Sequence, residues 1–181
     1  MKCSVYIAAS VDGFIARPDG DIEWLHHPDY AEAKLNGLSY DDFISTVDGI
    51  VMGRYTFEKA LSFGFWPYEG KPVIVLSSRG VAIPGELEGK VSLCSGSPDE
   101  IVEKLGTQGF NHLYIDGGIT IQRFLNTGLI NELTITRIPI LLGRGIPLFH
   151  HGEKEQTLRL ISADVSENGF VQERYEVLRR I

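Results

Sequence analysis

Three short segments of the sequence carry the residue types that bind phosphate groups. Gly53-Arg54-Tyr55-Thr56 combines a glycine, a guanidinium group and a hydroxyl, and Ser77-Ser78-Arg79 combines two hydroxyls with another arginine. The third segment, Asp116-Gly117-Gly118-Ile119-Thr120, has a glycine pair that lets the backbone approach a ligand. Arginine forms paired hydrogen bonds to phosphate, and free N–H groups at a helix start favour anions. Each segment alone is also typical of a polar turn, but together they predict a site for a dinucleotide.

The elements around these segments predict where they meet. Each segment follows a short apolar run rich in valine and isoleucine, as strands buried on both faces are. In an open sheet, ligands bind beyond the carboxyl ends of such strands. The glycine pair is not the G-x-G-x-x-G fingerprint, so a standard Rossmann domain is poorly supported.

The whole pattern predicts an α/β domain over residues 1–181, with a mixed sheet of about eight strands flanked by helices. Asn168-Gly169 separates two strand-like runs and predicts a C-terminal β-hairpin. Ser97-Pro98-Asp99-Glu100 predicts a capped helix start. The predicted strands are Cys3–Ala9, Gly49–Met52, Val73–Leu76, Val91–Cys94, His112–Ile115, Glu132–Ile140, Thr157–Val165 and Phe170–Val177. The predicted helices are part of Asp29–Val47, and Thr56–Leu61, Pro98–Leu105 and Ile119–Asn126.

Composition removes several classes of function. The 181 residues carry a net charge of −7, so the basic face of a nucleic-acid-binding protein is not expected. Cys3 and Cys94 have neither metal-ligand spacing nor a disulfide pattern. His26-His27 and His150-His151 are adjacent pairs, whose side chains point in different directions, so no metal is assigned. No signal peptide or membrane span is recognised, and a cytoplasmic protein is expected.

The order of these motifs resembles that of the dihydrofolate reductases. Besides the three segments, the resemblance rests on Ala8-Ala9-Ser10-Val11-Asp12-Gly13-Phe14-Ile15-Ala16. It is closer to the reductase domain of bifunctional riboflavin biosynthesis proteins, whose late signature is similar to Asn131-Glu132-Leu133 and the following Pro139–Phe149. The match spans almost the whole chain and is closest to the stand-alone RibD C-terminal domain proteins. The chain lacks H-x-E with P-C-x-x-C, which excludes the zinc-dependent deamination of the bifunctional enzymes.

The resemblance implies a dihydrofolate reductase-like fold with NADPH lying across the strand ends. On this basis Ala9 and Ile15 are expected to line the nicotinamide site. The residues expected at the phosphates are Gly53, Arg54, Thr56, Gly117, Gly118, Ile119 and Thr120. Ser77, Ser78 and Arg79 are expected around the adenosine 2′-phosphate, which favours NADPH over NADH.

The resemblance also suggests residues for the reacting end of the site. Asp29 is the expected acid, because it lies five residues after Trp24, the spacing between tryptophan and acid in dihydrofolate reductases. An acidic residue in the first turn of a helix is an equally good interpretation of Asp29. Thr136 matches the strand threonine that supports the substrate in that family. Asp12 can reach the site or form a turn.

Together these features predict an NADPH-dependent reductase that transfers a hydride to a pterin-like or related heterocyclic C=N or C=O group. An alternative substrate is 5-amino-6-(5-phosphoribosylamino)uracil, whose phosphate requires further basic groups such as Arg17, Arg137 or Arg144. A hypothesis of another class is an NADP-binding sensor or partner subunit without turnover. Riboflavin reductase relatives are often dimers, so a homodimer is expected.

Overall fold

The computed structural model describes residues 1–30, 34–150 and 155–178. The strands found in these ranges are β1 (Lys2–Ser10), β2 (Phe14–Ala16), β3 (Gly49–Gly53), β4 (Val73–Leu76), β5 (Val91–Cys94), β6 (His112–Asp116), β7 (Glu132–Ile138), β8 (Ile146–Pro147), β9 (Thr157–Val165) and β10 (Val171–Leu178). The α-helices are α1 (Tyr40–Ser45), α2 (Arg54–Leu61), α3 (Pro98–Thr107) and α4 (Gly118–Asn126). Short 3₁₀ helices cover Glu23–His26, Pro28–Tyr30 and Gly85–Leu87.

Eight strands form one mixed sheet in the order β5-β4-β3-β6-β1-β7-β10-β9. The first six strands in this order are parallel to one another, whereas β10 is antiparallel to β7 and β9. The turn between β9 and β10 is closed by a hydrogen bond from the Ser166 N–H to the Phe170 carbonyl, and Gly169 has a φ of +83°. The predicted α/β sheet with a C-terminal hairpin is confirmed.

Helices cover both faces of the sheet because its strands are apolar on both sides. On one face, Ile101 of α3 and Phe124 of α4 pack on Leu113, Ile115 and their neighbours. On the other face, Phe43 of α1 and Phe57 of α2 join a second cluster with Met52 and Tyr114. We call these the α3/α4 face and the α1/α2 face. None of the helices in the described ranges is both long and apolar enough to cross a bilayer.

The structure differs from the sequence prediction mainly between β1 and β3. Helix is predicted over part of Asp29–Val47, and the structure has the six-residue α1 there, preceded by an unpredicted 3₁₀ turn at Pro28–Tyr30, while residues 31–33 lie outside the described residues. The small β2–β8 pair is also additional. Neither strand has enough residues to show a hydrophobic period. β7 ends at Ile138 because Pro139, which follows, has no N–H for the ladder.

Candidate active site

The parallel strands bring the three phosphate-type segments to one edge of the sheet. Gly53, at the end of β3, lies beside Leu76, the last residue of β4. On its other side β3 pairs with β6, with Met52 opposite Asp116. The segment beginning at Gly53 therefore lies between Ser77-Ser78-Arg79 and the Gly117-Gly118 pair, at the carboxyl ends of the strands.

Two helices at this edge begin without a side-chain cap. The N-cap residues of α2 and α4 are Gly53 and Gly117, which have no side chain that could cap the first N–H groups of either helix. By contrast, Ser39 caps α1, and Ser97 caps α3 in the predicted capping box. The first N–H groups of α2 and α4 are therefore available to an anion, and the helix dipoles favour negative charge there.

Glycine at positions 117 and 118 is required by close packing of the segments. Gly117 has a φ of +88°, and a Cβ atom on it would overlap the Thr56 hydroxyl. A Cβ atom on Gly118 would lie 3.0 Å from Cδ1 of Ile15. The hydroxyl of buried Thr120 faces Gly53, 3.1 Å from where that residue's Cβ would lie. These contacts join the starts of α2 and α4 to each other and to β2.

The two arginines predicted to bind phosphate, Arg54 and Arg79, differ from each other in their surroundings. Arg54 lies 3.7 Å from Glu58 and stacks over the ring of Tyr55 at 5.0 Å. Arg79 is exposed and forms no ion pair with any described residue. Ser78 is also exposed, whereas the Ser77 hydroxyl donates a hydrogen bond to the Gly80 carbonyl at 3.0 Å. The turn after β4 thus presents an exposed guanidinium group, without an ion pair in the described part of the chain, at the far end of the site from β1.

The end of β1 and the β2–β8 pair form the next part of the edge. Ala9 is fully buried, and Ile15 packs on the core of the α3/α4 face. Ile119, in the first turn of α4, is 63% exposed. The structure brings Ile15 against Gly118, as a site formed by both segments requires, and leaves the Ile119 side chain at the surface.

Asp12 acts as a turn residue that connects two loops. Its carboxylate accepts hydrogen bonds from the Ser10 hydroxyl at 2.6 Å and from the backbone N–H groups of Leu142 and Gly143 at 3.1 and 2.7 Å. Desolvation acts to raise the pKa of Asp12, but these hydrogen bonds to the charged form outweigh it and lower the pKa. A carboxylate held in this way is a poor proton donor.

The predicted substrate residues Trp24 and Thr136 lie near the ends of β1 and β7. Thr136 is opposite Ala8 in the strand register, and Gln172 Nε2 lies 3.5 Å from its hydroxyl. Trp24 is 5% exposed and packs with Ile138 and Phe170. Its buried indole N–H has no hydrogen-bond partner among the described residues, so a ligand or water is needed to satisfy it.

Asp29 is not at the floor of a pocket. Its side chain is 81% exposed and lies 3.4 Å from Nδ1 of His27, in the 3₁₀ turn that begins at Pro28. The predicted spacing from Trp24 is present, but this short turn leaves the carboxylate in solvent. Its position matches the helix-start interpretation better than that of an enclosed acid.

The sequence analysis assigned no separate role to one buried carboxyl group at this edge. Asp116 ends β6 directly before the glycine pair, and its carboxylate accepts hydrogen bonds from the Gly117 N–H at 2.8 Å and the Tyr68 hydroxyl at 3.3 Å. Burial raises the pKa of Asp116 above its ordinary value. A carboxylate directly after the apolar residues Leu113, Tyr114 and Ile115 was the available signal, because a carboxyl group at such a position needs a polar partner.

The described residues contain no group of three or more histidine, cysteine, aspartate or glutamate side chains placed so that they could hold a metal ion. His27 pairs with Asp29, and His151 lies outside the described residues. Two of the three arginines considered for a substrate phosphate form ion pairs with carboxylates. Arg17 pairs with Asp21 at 3.1 Å and Arg137 with Glu173 at 3.4 Å, whereas Arg144 is exposed.

Comparison with known proteins identifies relatives over nearly the full chain. The family model described as RibD C-terminal domain matches residues 2–172. The uncharacterized protein YwjB of Bacillus subtilis is 36% identical over 162 residues, which cover 88% of each chain. A crystal structure of a protein from Shewanella sp. PV-4, provisionally assigned to riboflavin biosynthesis, is 42% identical with a TM-score of 0.90, covering 99% of this chain and 100% of that chain.

A more distant structure shares the fold. It is the diaminohydroxyphosphoribosylaminopyrimidine deaminase/5-amino-6-(5-phosphoribosylamino)uracil reductase of Thermotoga maritima, with a TM-score of 0.74 and 13% identity. The similarity covers 98% of this chain and 56% of that one. The predicted relationship to riboflavin reductase domains is therefore confirmed at the level of family and fold.

Proposed function

The chain belongs to the RibD C-terminal domain family, and from this premise we propose that it is a reductase that binds NADPH across the strand ends and reduces a heterocyclic C=N or C=O group. The observation that carries the proposal is the meeting, at a single sheet edge, of two helix starts with glycine N-caps and one exposed arginine that has no ion pair among the described residues. Phosphates bind to such helix starts through backbone N–H groups.

The chain's own residues fit the two ends of this cofactor. The N–H groups at the starts of α2 and α4 would hold the pyrophosphate, with the Gly117-Gly118 pair keeping the backbone accessible. Arg79, with Ser77 and Ser78, would bind the 2′-phosphate. Ala9 and Ile15 would support the nicotinamide, which supplies the hydride when NADPH is bound.

The substrate region lies on the α1/α2 face of the sheet. Thr136 offers a hydroxyl, Trp24 offers an unpaired indole N–H, and Asp116 offers a carboxyl group. A planar nitrogen heterocycle, such as a pterin, carries the acceptors and donors that these groups require. The main proposal is therefore an unphosphorylated heterocycle.

The family favours a second candidate, the phosphoribosylaminouracil that the Thermotoga maritima enzyme's name describes. Its phosphate needs cationic partners in addition to those for NADPH. Arg17 and Arg137 are neutralised by Asp21 and Glu173, which leaves exposed Arg144 as the available group of the three. The Arg144→Ala variant tests this candidate. Loss of turnover of the phosphoribosylaminouracil, with turnover of pterins unchanged, would identify the second substrate class.

Oxidation of NADPH with a panel of dihydropterins, pterins and ribosylaminopyrimidines tests the proposed function. We expect NADPH to be oxidised only in the presence of one member of the panel. The oxidation is measured as the loss of absorbance of the reduced nicotinamide. A protein that binds NADPH but oxidises none of it with any panel member would be a sensor or partner subunit, and the reductase proposal would be wrong.

We also propose a homodimer in the cytoplasm, where the two free, buried cysteines would remain reduced. β9 is an edge strand of the sheet and exposes Leu160 (55%) and Ile161 (48%). Long exposed apolar edges are uncommon in monomers because they associate.

The Leu160→Glu variant is therefore expected to sediment as a monomer, whereas the wild type and Leu93→Glu sediment as dimers. Leu93 is the matched control, because it is an exposed leucine on β5 at the opposite edge of the sheet. A monomeric wild type, or an unchanged Leu160→Glu dimer, would contradict pairing through β9.

A further inference from the structure

Gln172 is a buried polar side chain on the α1/α2 face of the sheet. It lies on β10 opposite Thr136 of β7, and it is 5% exposed. Side chains alternate along a strand, and Ile135, the neighbour of Thr136, packs in the core of the α3/α4 face. Thr136 and Gln172 therefore lie on the other face, where Tyr6 of β1 packs with the second cluster. This is the face of the proposed substrate region.

The backbone of Leu38 fixes the orientation of the Gln172 amide. The Leu38 N–H donates to Oε1 of Gln172 at 2.7 Å, and Nε2 donates to the Leu38 carbonyl at 3.0 Å. An amide turned by half a rotation would place its NH₂ group against the Leu38 N–H and its oxygen against the carbonyl, so both hydrogen bonds would be lost. The two hydrogen bonds therefore determine which side of the amide carries the nitrogen.

The segment that carries Leu38 is itself held against the sheet. The Asn36 N–H donates to the Ser166 hydroxyl at 2.9 Å, next to the β9–β10 turn. The Tyr6 hydroxyl donates to the Leu38 carbonyl at 2.9 Å. Residues 36–38 are thus bound to both the C-terminal hairpin and β1, and they form a fixed support for the amide.

Nε2 of Gln172 faces the hydroxyl group of Thr136. Besides the Leu38 carbonyl, it lies 3.4 Å from the Tyr6 hydroxyl oxygen and 3.5 Å from Oγ1 of Thr136. An amide N–H group can only donate, so the Thr136 oxygen is the acceptor in this contact. In the described part of the chain, no group accepts a hydrogen bond from the Thr136 hydroxyl. Its hydrogen is therefore available to a ligand.

We propose that Gln172 is a positioning residue for substrate recognition, an inference that rests on the proposed function. By donating to Thr136, it makes the threonine hydroxyl a hydrogen-bond donor to the substrate. The substrate group that faces Thr136 is then an acceptor, and the acceptor that projects from a planar heterocycle is an exocyclic carbonyl oxygen. An amino group at that position would bring a donor against a donor. The substrate class is therefore an oxo-substituted heterocycle.

Gln172 also fastens residues 36–38, and this structural role alone predicts a different result when it is changed. A loosened segment would weaken the binding of every ligand on this face to a similar extent. A change in the direction of the Thr136 hydroxyl would instead alter the preference between a carbonyl and an amino group. The ratio of two ligand affinities therefore separates the two roles.

The main experiment measures the binding of two pteridines to the protein saturated with NADP⁺, at a pH at which both are neutral. Pterin has an oxo group where 2,4-diaminopteridine has an amino group. We expect the wild type to prefer pterin about 10- to 100-fold, the scale for one hydrogen bond replaced by an unpaired donor.

Gln172→Glu should reverse the polarity of the Thr136 hydroxyl. The new side chain keeps an acceptor for the Leu38 N–H but has no N–H group for Thr136. The hydroxyl should then donate to the carboxylate and present its lone pairs to the ligand. The affinity ratio should therefore shift about 10-fold or more toward the diamino compound.

Gln156→Glu is the matched control for the introduced carboxylate. Gln156 is also a half-buried glutamine that donates to a backbone carbonyl, that of Leu125 near the C-terminal end of α4. It contacts neither Thr136 nor residues 36–38. This variant should keep the wild-type ratio of the two affinities.

Thr136→Val gives a second measurement that does not require Gln172→Glu to fold. Valine has nearly the shape of threonine but no hydroxyl group, so the variant should bind the two pteridines with similar affinity. Adding Gln172→Glu to Thr136→Val should leave the ratio unchanged, because the effect acts through the hydroxyl. A direct effect of the carboxylate charge would instead change the ratio in both backgrounds.

Several results would overturn the role of Gln172. These are a wild type without a preference for pterin, equal weakening of both ligands in Gln172→Glu, a wild-type ratio in Thr136→Val, or an equal shift in the double variant. Each of them leaves the proposed function intact when the wild type oxidises NADPH with a panel compound. Absence of turnover with the whole panel would overturn the proposed reductase, whatever the two affinities are.

Discussion

The Gly118→Val variant is expected to bind NADPH about 100-fold more weakly than the wild type, which corresponds to about 2.7 kcal/mol. A Cβ atom at this position would already lie 3.0 Å from Cδ1 of Ile15 and 3.5 Å from both Cγ2 of Ile146 and the Pro147 carbonyl. The two additional methyl groups of valine must displace the start of α4 or the β2–β8 pair. Overpacking of this kind costs about 1–3 kcal/mol and moves the backbone. The displaced N–H groups would no longer converge on the pyrophosphate.

Gly85→Val is the matched control for this variant. Gly85 begins a 3₁₀ helix away from the site, has no positive φ, and has no atoms within 4 Å of where its Cβ would lie. Titration calorimetry with NADPH should give wild-type affinity for this control, with circular dichroism verifying the fold of both variants. A folded Gly118→Val protein with unchanged affinity would show that the α4 start does not hold the cofactor.

The Arg79→Ala variant should lose affinity for NADPH by about 1.5–3 kcal/mol, or about 10- to 150-fold, while NADH affinity stays nearly constant. Arg79 has no carboxylate partner among the described residues, so its guanidinium group is available to the 2′-phosphate. The two cofactors differ in that phosphate alone. The loss should diminish at high salt because an exposed charge pair is screened.

Arg17→Ala is the control for the Arg79 measurement, since Arg17 is also a surface arginine but is paired with Asp21. It should leave the affinity ratio between the two cofactors unchanged. Equal losses for NADPH and NADH in Arg79→Ala would mean that Arg79 does not recognise the 2′-phosphate. If Arg79→Ala leaves the ratio of NADPH to NADH affinity unchanged, another cation must bind the 2′-phosphate, and Arg54 is the first to test.

The parts of the fold that could be predicted have strong local causes. β3 and β4 are continuous apolar runs and are buried along their length, apart from the half-buried Gly53. Ser97 and Glu100 form the predicted reciprocal cap, with hydrogen bonds of 2.8 and 3.3 Å. Such features depend on neighbours within a few residues. The glycine- and arginine-containing segments follow their strands directly in the sequence, so their place at the strand ends could be predicted as well.

The unpredicted parts depend on contacts between distant residues. Phe14 pairs with Pro147 across the chain, in strands too short to reveal a period. Asp29 has the expected spacing from Trp24, but the local turn and not the spacing determines its exposure. Asp116 could be assigned to a face only after the packing of Tyr114 and Tyr68 was known. Sequence motifs therefore predicted which segments meet at the sheet edge, but they did not predict how exposed or how hydrogen-bonded the candidate reacting groups are.

Titration of the purified wild-type protein with NADPH and with NADH is the most direct test of the central claim. We expect saturable binding of one NADPH per chain, with weaker binding of NADH because Arg79 then has no phosphate partner. Absence of saturable NADPH binding would contradict the assignment of this sheet edge as a dinucleotide site, and with it the proposed reductase.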